Sequence, residues 1–95
     1  MKILALEREI PGVLPDQFTP SILKAEAERV WELYLGGGLR EIYFQADQHA
    51  AVVVLECASM AEAQALLDTL PLVSSGLISF ELIPLVPYPG FARLF

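Results

Sequence analysis

Hydrophobic positions fall into short runs along this chain, and the most continuous run lies near its middle. Residues 50–58 read Ala-Ala-Val-Val-Val-Leu-Glu-Cys-Ala, without glycine or proline. Consecutive β-branched residues are typical of a strand that is covered on both faces. The sequence therefore predicts a central strand here, interrupted only by the charge of Glu56. A carboxylate on such a strand needs a partner or access to water.

Three other runs alternate in polarity and predict strands at residues 2–8, 39–46 and 77–86. The short connection Asp47-Gln48-His49 predicts that the second strand and the central strand form a hairpin. Pro84 requires an edge or a bulge in the last strand. Residues 10–18 are an apolar, proline-containing loop. This loop either covers the mouth of a cavity or packs on a helix end.

Two helices separate these strands. Thr19 as N-cap and Pro20 at the first helical position predict the start of the first helix, and Gly36-Gly37-Gly38 its end. Its predicted buried stripe is Leu23, Ala27, Val30 and Tyr34. The capping box Ser59-Met60-Ala61-Glu62 predicts the start of the second helix, which Pro71 ends. Its predicted stripe is Ala63, Leu66, Leu67 and Leu70.

The order strand, helix, strand, strand, helix, strand predicts an α+β fold. Right-handed crossovers give a ferredoxin-like βαββαβ antiparallel sheet, with the third and first strands central and both helices on one face. The side chains expected under the helices are Leu4, Leu6, Ile42, Phe44, Val53, Leu55, Cys57, Phe80 and Leu82. Those expected on the helix-free face are Ile3, Ala5, Glu7, Tyr43, Gln45, Val52, Val54, Glu56, Glu81 and Ile83.

Composition adds an expectation about assembly. The chain has 95 residues, of which 55% are hydrophobic and only 19% charged. This is more apolar surface than one small domain easily buries, so we expect a homodimer in which two helix-free faces enclose a barrel lumen. The net charge of −6 argues against nucleic acid and anionic membranes as partners.

The terminal segments and the single cysteine lead to expectations about the cellular compartment, the thiol and the domain bounds. The N-terminal segment does not have the pattern of a signal peptide, and no apolar run is long enough to span a membrane, which together predict a cytoplasmic protein. Cys57 is the only cysteine and lies in the apolar central strand, so we expect a buried, inert thiol. Residues 1–87 are expected to form one domain. Residues 88–95, rich in aromatic residues, proline and glycine, are expected to form an arm that packs on a partner subunit or its barrel mouth.

A resemblance to a known family covers most of residues 1–88. The segments that carry it are Lys24-Ala25-Glu26, Gly38-Leu39-Arg40 leading into Glu41-Ile42-Tyr43, Leu70-Pro71-Leu72 and Ile83-Pro84-Leu85. In these the chain resembles the muconolactone isomerase-like branch of the dimeric α/β barrels. The resemblance implies a cofactor-free barrel whose lumen binds a small acidic or aromatic-derived molecule. It also implies proton transfer next to a carbonyl group as the reaction.

Within that reaction type, we expect Glu7 to be the proton-transfer group. Antiparallel pairing of the first and third strands brings Glu7 close to His49. The imidazole of His49 would then adjust the pKa of Glu7. Tyr43 is expected to orient a substrate oxygen, and Arg40 to attract an anionic substrate. The further candidate substrate-binding residues are Trp31, Glu56 and Glu81.

Structural alternatives exist for each candidate. His49 also fits a solvated turn, Trp31 fits core packing, and Glu56 fits an ion pair with Arg40. Glu81 with Glu7 or Glu56 would make a carboxylate cluster for a metal, but without the spacing of a metal motif. Two other functions also remain open: a barrel that binds a small molecule without chemistry, and a structural dimer.

Overall fold

The computed structural model describes residues 1–95 and shows an α+β fold with one antiparallel sheet. The strands lie in the order β2-β3-β1-β4, so β3 and β1 are central, as predicted. The ferredoxin-like arrangement is confirmed, with one additional short helix. The elements are β1 (Lys2–Glu9), α1 (Pro20–Gly36), β2 (Leu39–Phe44), β3 (Ala51–Glu56), α2 (Met60–Leu67), α3 (Pro71–Ser74) and β4 (Ile78–Leu85). None of the helices is both long and apolar enough to cross a membrane.

Local sequence signals set the helix ends. The Thr19 hydroxyl accepts a hydrogen bond from the Ile22 amide at 3.3 Å, and α1 ends at Gly37, whose φ of 87° lies in the left-handed region. The Ser59 hydroxyl accepts from the Glu62 amide at 3.1 Å. Both predicted helix starts are therefore confirmed.

The two faces of β1 are the reverse of the prediction. Ile3 and Ala5 are fully buried under the helices, where they pair in register with Leu55 and Val53. Leu4 and Leu6 lie on the helix-free face and are only half-buried. Both faces of β1 are apolar, so alternation alone could not decide which face is covered.

The edge strand β2 contains a bulge that changes the position of one candidate residue. Leu39 pairs with Leu55 and Glu41 with Val54, which leaves Arg40 as the extra residue. Because of the bulge, Leu39 is buried on the helix side. Arg40 no longer follows the alternation of side chains between the two faces of the strand.

The stripe of α1 that faces the sheet also differs from the prediction. Its buried or half-buried members include Ile22, Glu26, Val30 and Leu33, whereas Leu23 and Tyr34 are about half exposed. The helix is therefore rotated so that a carboxylate points inward. The predicted stripe of α2 is confirmed, with Ala63, Leu67 and Leu70 buried and Leu66 packed against the core.

The loop at residues 10–18 packs against the body of the subunit through a few half-buried side chains, whereas the segment at residues 86–95 is largely exposed. Val13 and Phe18 of the loop pack against a small cluster formed by Leu72, Leu77 and Ile78. The C-terminal segment contains a 3₁₀ turn at Gly90–Leu94 and carries five exposed large apolar residues. They are Val86, Tyr88, Phe91, Leu94 and Phe95. The longest dimension of the subunit is 56 Å, twice the next of 28 Å.

Candidate functional site

A cavity of about 750 Å³ separates α1 from the helix-covered face of the sheet. Of its 18 lining residues, 15 are hydrophobic, and the others are Glu7, Glu26 and His49. This cavity therefore lies within a single subunit, on the opposite side of the sheet from the helix-free face. This corrects the predicted location of Glu7.

Glu7 enters the cavity from the end of β1. Its Oε1 accepts a hydrogen bond from the Ala51 amide at 3.1 Å, which fixes the carboxylate against the start of β3. Burial raises the pKa of Glu7, and the charge of Glu9 raises it further. The Ala51 hydrogen bond and the neighbouring His49 act in the opposite direction without cancelling the effect of burial.

Glu26 enters the same cavity from α1. Its Oε1 accepts a hydrogen bond from the Leu72 amide at 3.0 Å, at the first turn of α3. Burial raises the pKa of Glu26, opposed by that hydrogen bond, and the charge of Glu7 raises it further. Two carboxyl groups thus line one apolar cavity, and the charge of Glu7 disfavours the ionisation of Glu26.

Aromatic rings form much of the remaining wall. Trp31 stacks on Tyr34 with ring centroids 5.7 Å apart, and Phe44 lies 5.0 Å from the ring of His49. Trp31 and Phe44 are 59% and 63% exposed, so the cavity is open on this side. His49 is an exposed turn residue, yet it borders the cavity next to Glu7, as the pairing of β1 and β3 predicted.

The apolar loop borders a second cavity of about 520 Å³. Glu7, Leu23, Phe44 and His49 are among the residues that line both cavities. The loop packs on the Leu72 cluster and also lines this second cavity, but none of its residues lines the main one.

Comparison with known proteins agrees with this geometry. The family model described as muconolactone delta-isomerase matches residues 3–90. The chain belongs to the muconolactone delta-isomerase family. No curated protein matches this chain.

Two solved structures are similar to this member of the family. One is a crystal structure of muconolactone isomerase, with a TM-score of 0.73 and 22% identity, covering 94% of this chain and 92% of that chain. The other is 5-chloro-2-hydroxyhydroquinone dehydrochlorinase from Burkholderia phenoliruptrix in complex with 2,5-dihydroxybenzoquinone, with a TM-score of 0.68 and 15% identity. It covers 95% of this chain and 98% of that chain. At these identities both structures support the fold.

Several predicted site residues lie outside the cavity of this family member or point away from it. Tyr43 pairs with Val52 on the helix-free face, and its hydroxyl donates to Glu41 Oε1 at 2.7 Å. That hydrogen bond raises the pKa of Tyr43. Tyr43 thus borders the cavity only from the edge strand, with its hydroxyl already engaged.

Arg40, Glu56 and Glu81 do not line this cavity. The Arg40 Nε donates to the Gly37 carbonyl at 2.6 Å, while Glu56 accepts from the Met1 amino group at 3.2 Å, so the predicted Arg40–Glu56 ion pair is absent. Both border a separate cavity at the other end of the sheet.

Glu81 forms an ion pair with Arg8, and its position on β4 puts it on the helix-free face. Glu7, Glu56 and Glu81 therefore do not form the carboxylate cluster considered as a metal site. Cys57 is buried as predicted, and burial raises the pKa of its thiol.

Glu26 is the site residue that sequence reasoning missed. It stands four residues after Ile22 and four before Val30, both of which are half-buried. That i, i+4 row was a signal that α1 presents Glu26 to the sheet. The prediction placed the buried stripe through Leu23 and Ala27 instead. Those apolar residues line the open cavity and are not part of the core.

The raised pKa values predict how pH affects stability. Below the ordinary value of 4.5, both carboxyls are protonated whether the chain is folded or unfolded. Between that value and their raised native pKa values, the native state binds more protons, so these groups make the free energy of unfolding fall as pH rises. Because water still reaches both groups, the expected loss is up to about 1 kcal/mol for each.

Urea unfolding of wild type, E7Q and E26Q at about pH 5 and about pH 8 measures this loss. Each variant should be more stable than wild type at the higher pH, with a smaller difference at the lower pH. E28Q, an exposed position on the same helix, is the matched control. A wild-type-like pH dependence in both E7Q and E26Q would contradict the raised pKa values.

Proposed function

We propose that the protein is an isomerase-like enzyme that moves a proton between two carbon atoms of a small lactone, without a cofactor. The observation that carries this proposal is the pair Glu7 and Glu26, held by backbone amides in one apolar cavity. Membership of the muconolactone delta-isomerase family supports the substrate type.

The pair suits proton transfer because the pKa values of both carboxyl groups are higher than that of a carboxyl group in water. Desolvation brings the pKa of each closer to neutral pH, where a group both accepts and returns a proton efficiently. The charge of Glu7 raises the pKa of Glu26, which favours a state in which Glu7 is ionised and Glu26 holds a proton. The cavity then offers a base and an acid together.

In the proposed reaction, the ionised carboxylate removes the proton from the carbon next to the lactone carbonyl. The electron pair of that C–H bond is delocalised into the carbonyl as a dienolate. A carboxylic acid group of the pair returns a proton to the far carbon of the conjugated system, and the ring double bond shifts. Glu7 is assigned the base role and Glu26 the acid role, with His49 next to Glu7 assisting. Trp31 and Tyr34 provide the surface on which the ring stacks.

Hydrogen exchange tests this proposal directly. We expect wild-type protein in D₂O to catalyse both the double-bond shift of a β,γ-unsaturated butenolide and deuterium incorporation at the two ring carbons, followed by NMR. Buffer at the same pH and protein unfolded in urea are the controls. Binding of the lactone without exchange above the buffer rate would favour a binding protein and reject the enzyme.

We also propose that the helix-free face of the sheet packs on a second copy. Across its centre, Val54, Leu4 and Ile83 are neighbours in one row, with Val52 and Leu6 in the next. All five are only half-buried in the single subunit. Removing this apolar surface from water stabilises a dimer by about 25 cal/mol of free energy for each Å² covered, which supports a homodimer. In this proposal, the contact is made by Leu4 and Leu6 instead of Ile3 and Ala5, the residues predicted for this face.

The arm at residues 88–95 is proposed as a second part of that contact. Tyr88 and Phe91 pack edge to face with ring centroids 5.0 Å apart, but both are about two-thirds exposed. Leu94 and Phe95 are more exposed still. A partner subunit that covered this segment would remove its apolar side chains from water.

A further inference from the structure

Two cavities lie side by side on the helix-covered side of the sheet, the main cavity of about 750 Å³ and the second cavity of about 520 Å³. Glu7, Phe44 and His49 are among the residues that line both. We propose that the two cavities form one binding site for a lactone ring with an alkyl substituent. The substituent enters the second cavity, and Phe44 sets the width that is accepted. The inference rests on the proposed function for the identity of the ring.

Two rings at the end of β2 mark the boundary between the cavities. The ring of Phe44 lies 5.0 Å from that of His49, with an interplanar angle of 50°. Phe44 pairs with Ala51 across the hairpin, and the Ala51 amide donates to Glu7. Because the side chain of Ala51 is a single methyl group, the passage between the cavities lies beside Phe44 and Glu7. The size of the side chain at position 44 therefore controls this passage.

The two cavities differ in chemistry, which sets the orientation of the ligand. The main cavity contains both carboxyl groups and the stacked rings of Trp31 and Tyr34, which suit a flat ring. The second cavity contains only Glu7 of that pair, and its loop side includes the apolar side chains of Val13 and Phe18. Since the proposed reaction uses both carboxyl groups, the ring occupies the main cavity and its substituent extends past Glu7 into the second.

The second cavity suits an apolar group because 8 of its 12 lining residues are hydrophobic. Its loop wall is formed by the subunit's own residues, which pack on the Leu72 cluster. An alkyl group that enters this space leaves water for an apolar surface. Each methylene group that is buried in this way tightens binding by about three- to fourfold. Affinity should therefore rise with the length of the substituent.

A matched pair of ligands tests the inference. Two butenolides differ only in the alkyl group on the ring, which is methyl in one and pentyl in the other. Trp31 is the only tryptophan and lines the main cavity, so quenching of its fluorescence reports binding without any turnover. We expect the pentyl compound to bind to wild type at least about tenfold more tightly than the methyl compound.

A substitution that fills the second cavity should abolish this preference. Val13 is half-buried and lines the second cavity but not the main one. In V13F the pentyl compound should lose about tenfold or more in affinity, while the methyl compound binds as it does to wild type. The matched control is V86F, at a position that is 85% exposed and lines neither cavity, and it should keep the wild-type preference.

A substitution that widens the passage should have the opposite effect. Phe44 is 63% exposed, so F44A is compatible with folding. A butenolide with a bulky 3,3-dimethylbutyl group should bind to wild type more weakly than the pentyl compound. In F44A its affinity relative to the pentyl compound should rise by about tenfold. F44L retains much of the bulk and should stay close to wild type. Circular dichroism checks that each variant is folded, and F44A decides the matter if V13F is not.

The outcomes separate this inference from the proposed reaction. Equal affinity of wild type for the methyl and pentyl compounds would overturn the inference, even if both were turned over. So would binding of neither compound, a pentyl preference that persists in folded V13F, or an unchanged width preference in folded F44A. A pentyl preference that is lost in V13F, without hydrogen exchange in either compound, would reject the proposed reaction and leave the inference standing.

Discussion

E7Q and E26Q should each lower the rate of lactone proton transfer by about 10²–10⁴-fold, the usual contribution of a general acid or base. Glutamine keeps the shape and the oxygen that accepts from the Ala51 or Leu72 amide, but it cannot carry the transferred proton. The loss should therefore fall on kcat, with little change in ligand affinity. Steady-state kinetics by ultraviolet absorbance, together with Trp31 fluorescence titration, separates the two.

The double variant and a surface control make this result specific. If Glu7 and Glu26 work as a unit, E7Q/E26Q should be little slower than the weaker single variant. E28Q changes the same residue type on the exposed side of α1 and should retain the wild-type rate. Full activity in E7Q would remove Glu7 from the reaction, and full activity in E26Q would reduce the pair to a single acid–base group.

L4K should weaken the proposed homodimer by about two orders of magnitude or more. Leu4 lies at the centre of the helix-free face, between Val54 and Ile83, so a lysine there would be buried without a partner in the dimer. In a single subunit, the ammonium group reaches water and the fold is retained. Sedimentation velocity measured over a range of protein concentrations gives the dissociation constant.

S79K is the matched control for this change. Ser79 is exposed and pairs with Arg8 near the start of β4, at the margin of the same face. Its replacement should weaken the dimer far less. Circular dichroism checks that both variants remain folded. Wild-type protein that sediments as a monomer at micromolar concentration would exclude the helix-free face as a stable interface.

Sedimentation velocity also tests whether the arm at residues 88–95 contributes to the dimer. A chain that ends at Pro87 should form a weaker dimer than wild type, because Tyr88, Phe91, Leu94 and Phe95 would no longer be covered by the partner. The full-length variant F91S/L94S separates loss of apolar contact from loss of chain length. Unchanged dissociation constants in both would place the arm outside the interface.

The order and type of the elements followed from the sequence. Thr19, Ser59 and the glycines after α1 act through hydrogen bonds and backbone angles within a few residues, so their effects can be read locally. The apolar run at residues 50–58 predicted the central strand, and right-handed crossovers predicted the ferredoxin-like order around it. The nearness of Glu7 to His49 followed in turn from antiparallel pairing of β1 with β3.

Which residues line the cavity depended on long-range packing, which no local sequence pattern records. Ile3 and Ala5 alternate with the equally apolar Leu4 and Leu6, so only packing under the helices determined that Glu7 faces the cavity. The bulge at Arg40 depended on the register of β2 against β3, and it separated Arg40 from the site predicted for it.

What the sequence determined by itself was therefore the type and order of the elements and the helix caps, because these rest on interactions between near neighbours in the chain. What only the tertiary structure decided was which carboxyl groups meet. Glu7 and Glu26 lie 19 positions apart, on a strand and a helix, and the rotation of α1 against the sheet brings both into one cavity. That rotation results from the summed packing of Ile22, Val30 and Leu33, a long-range property that periodicity along a single helix does not reveal.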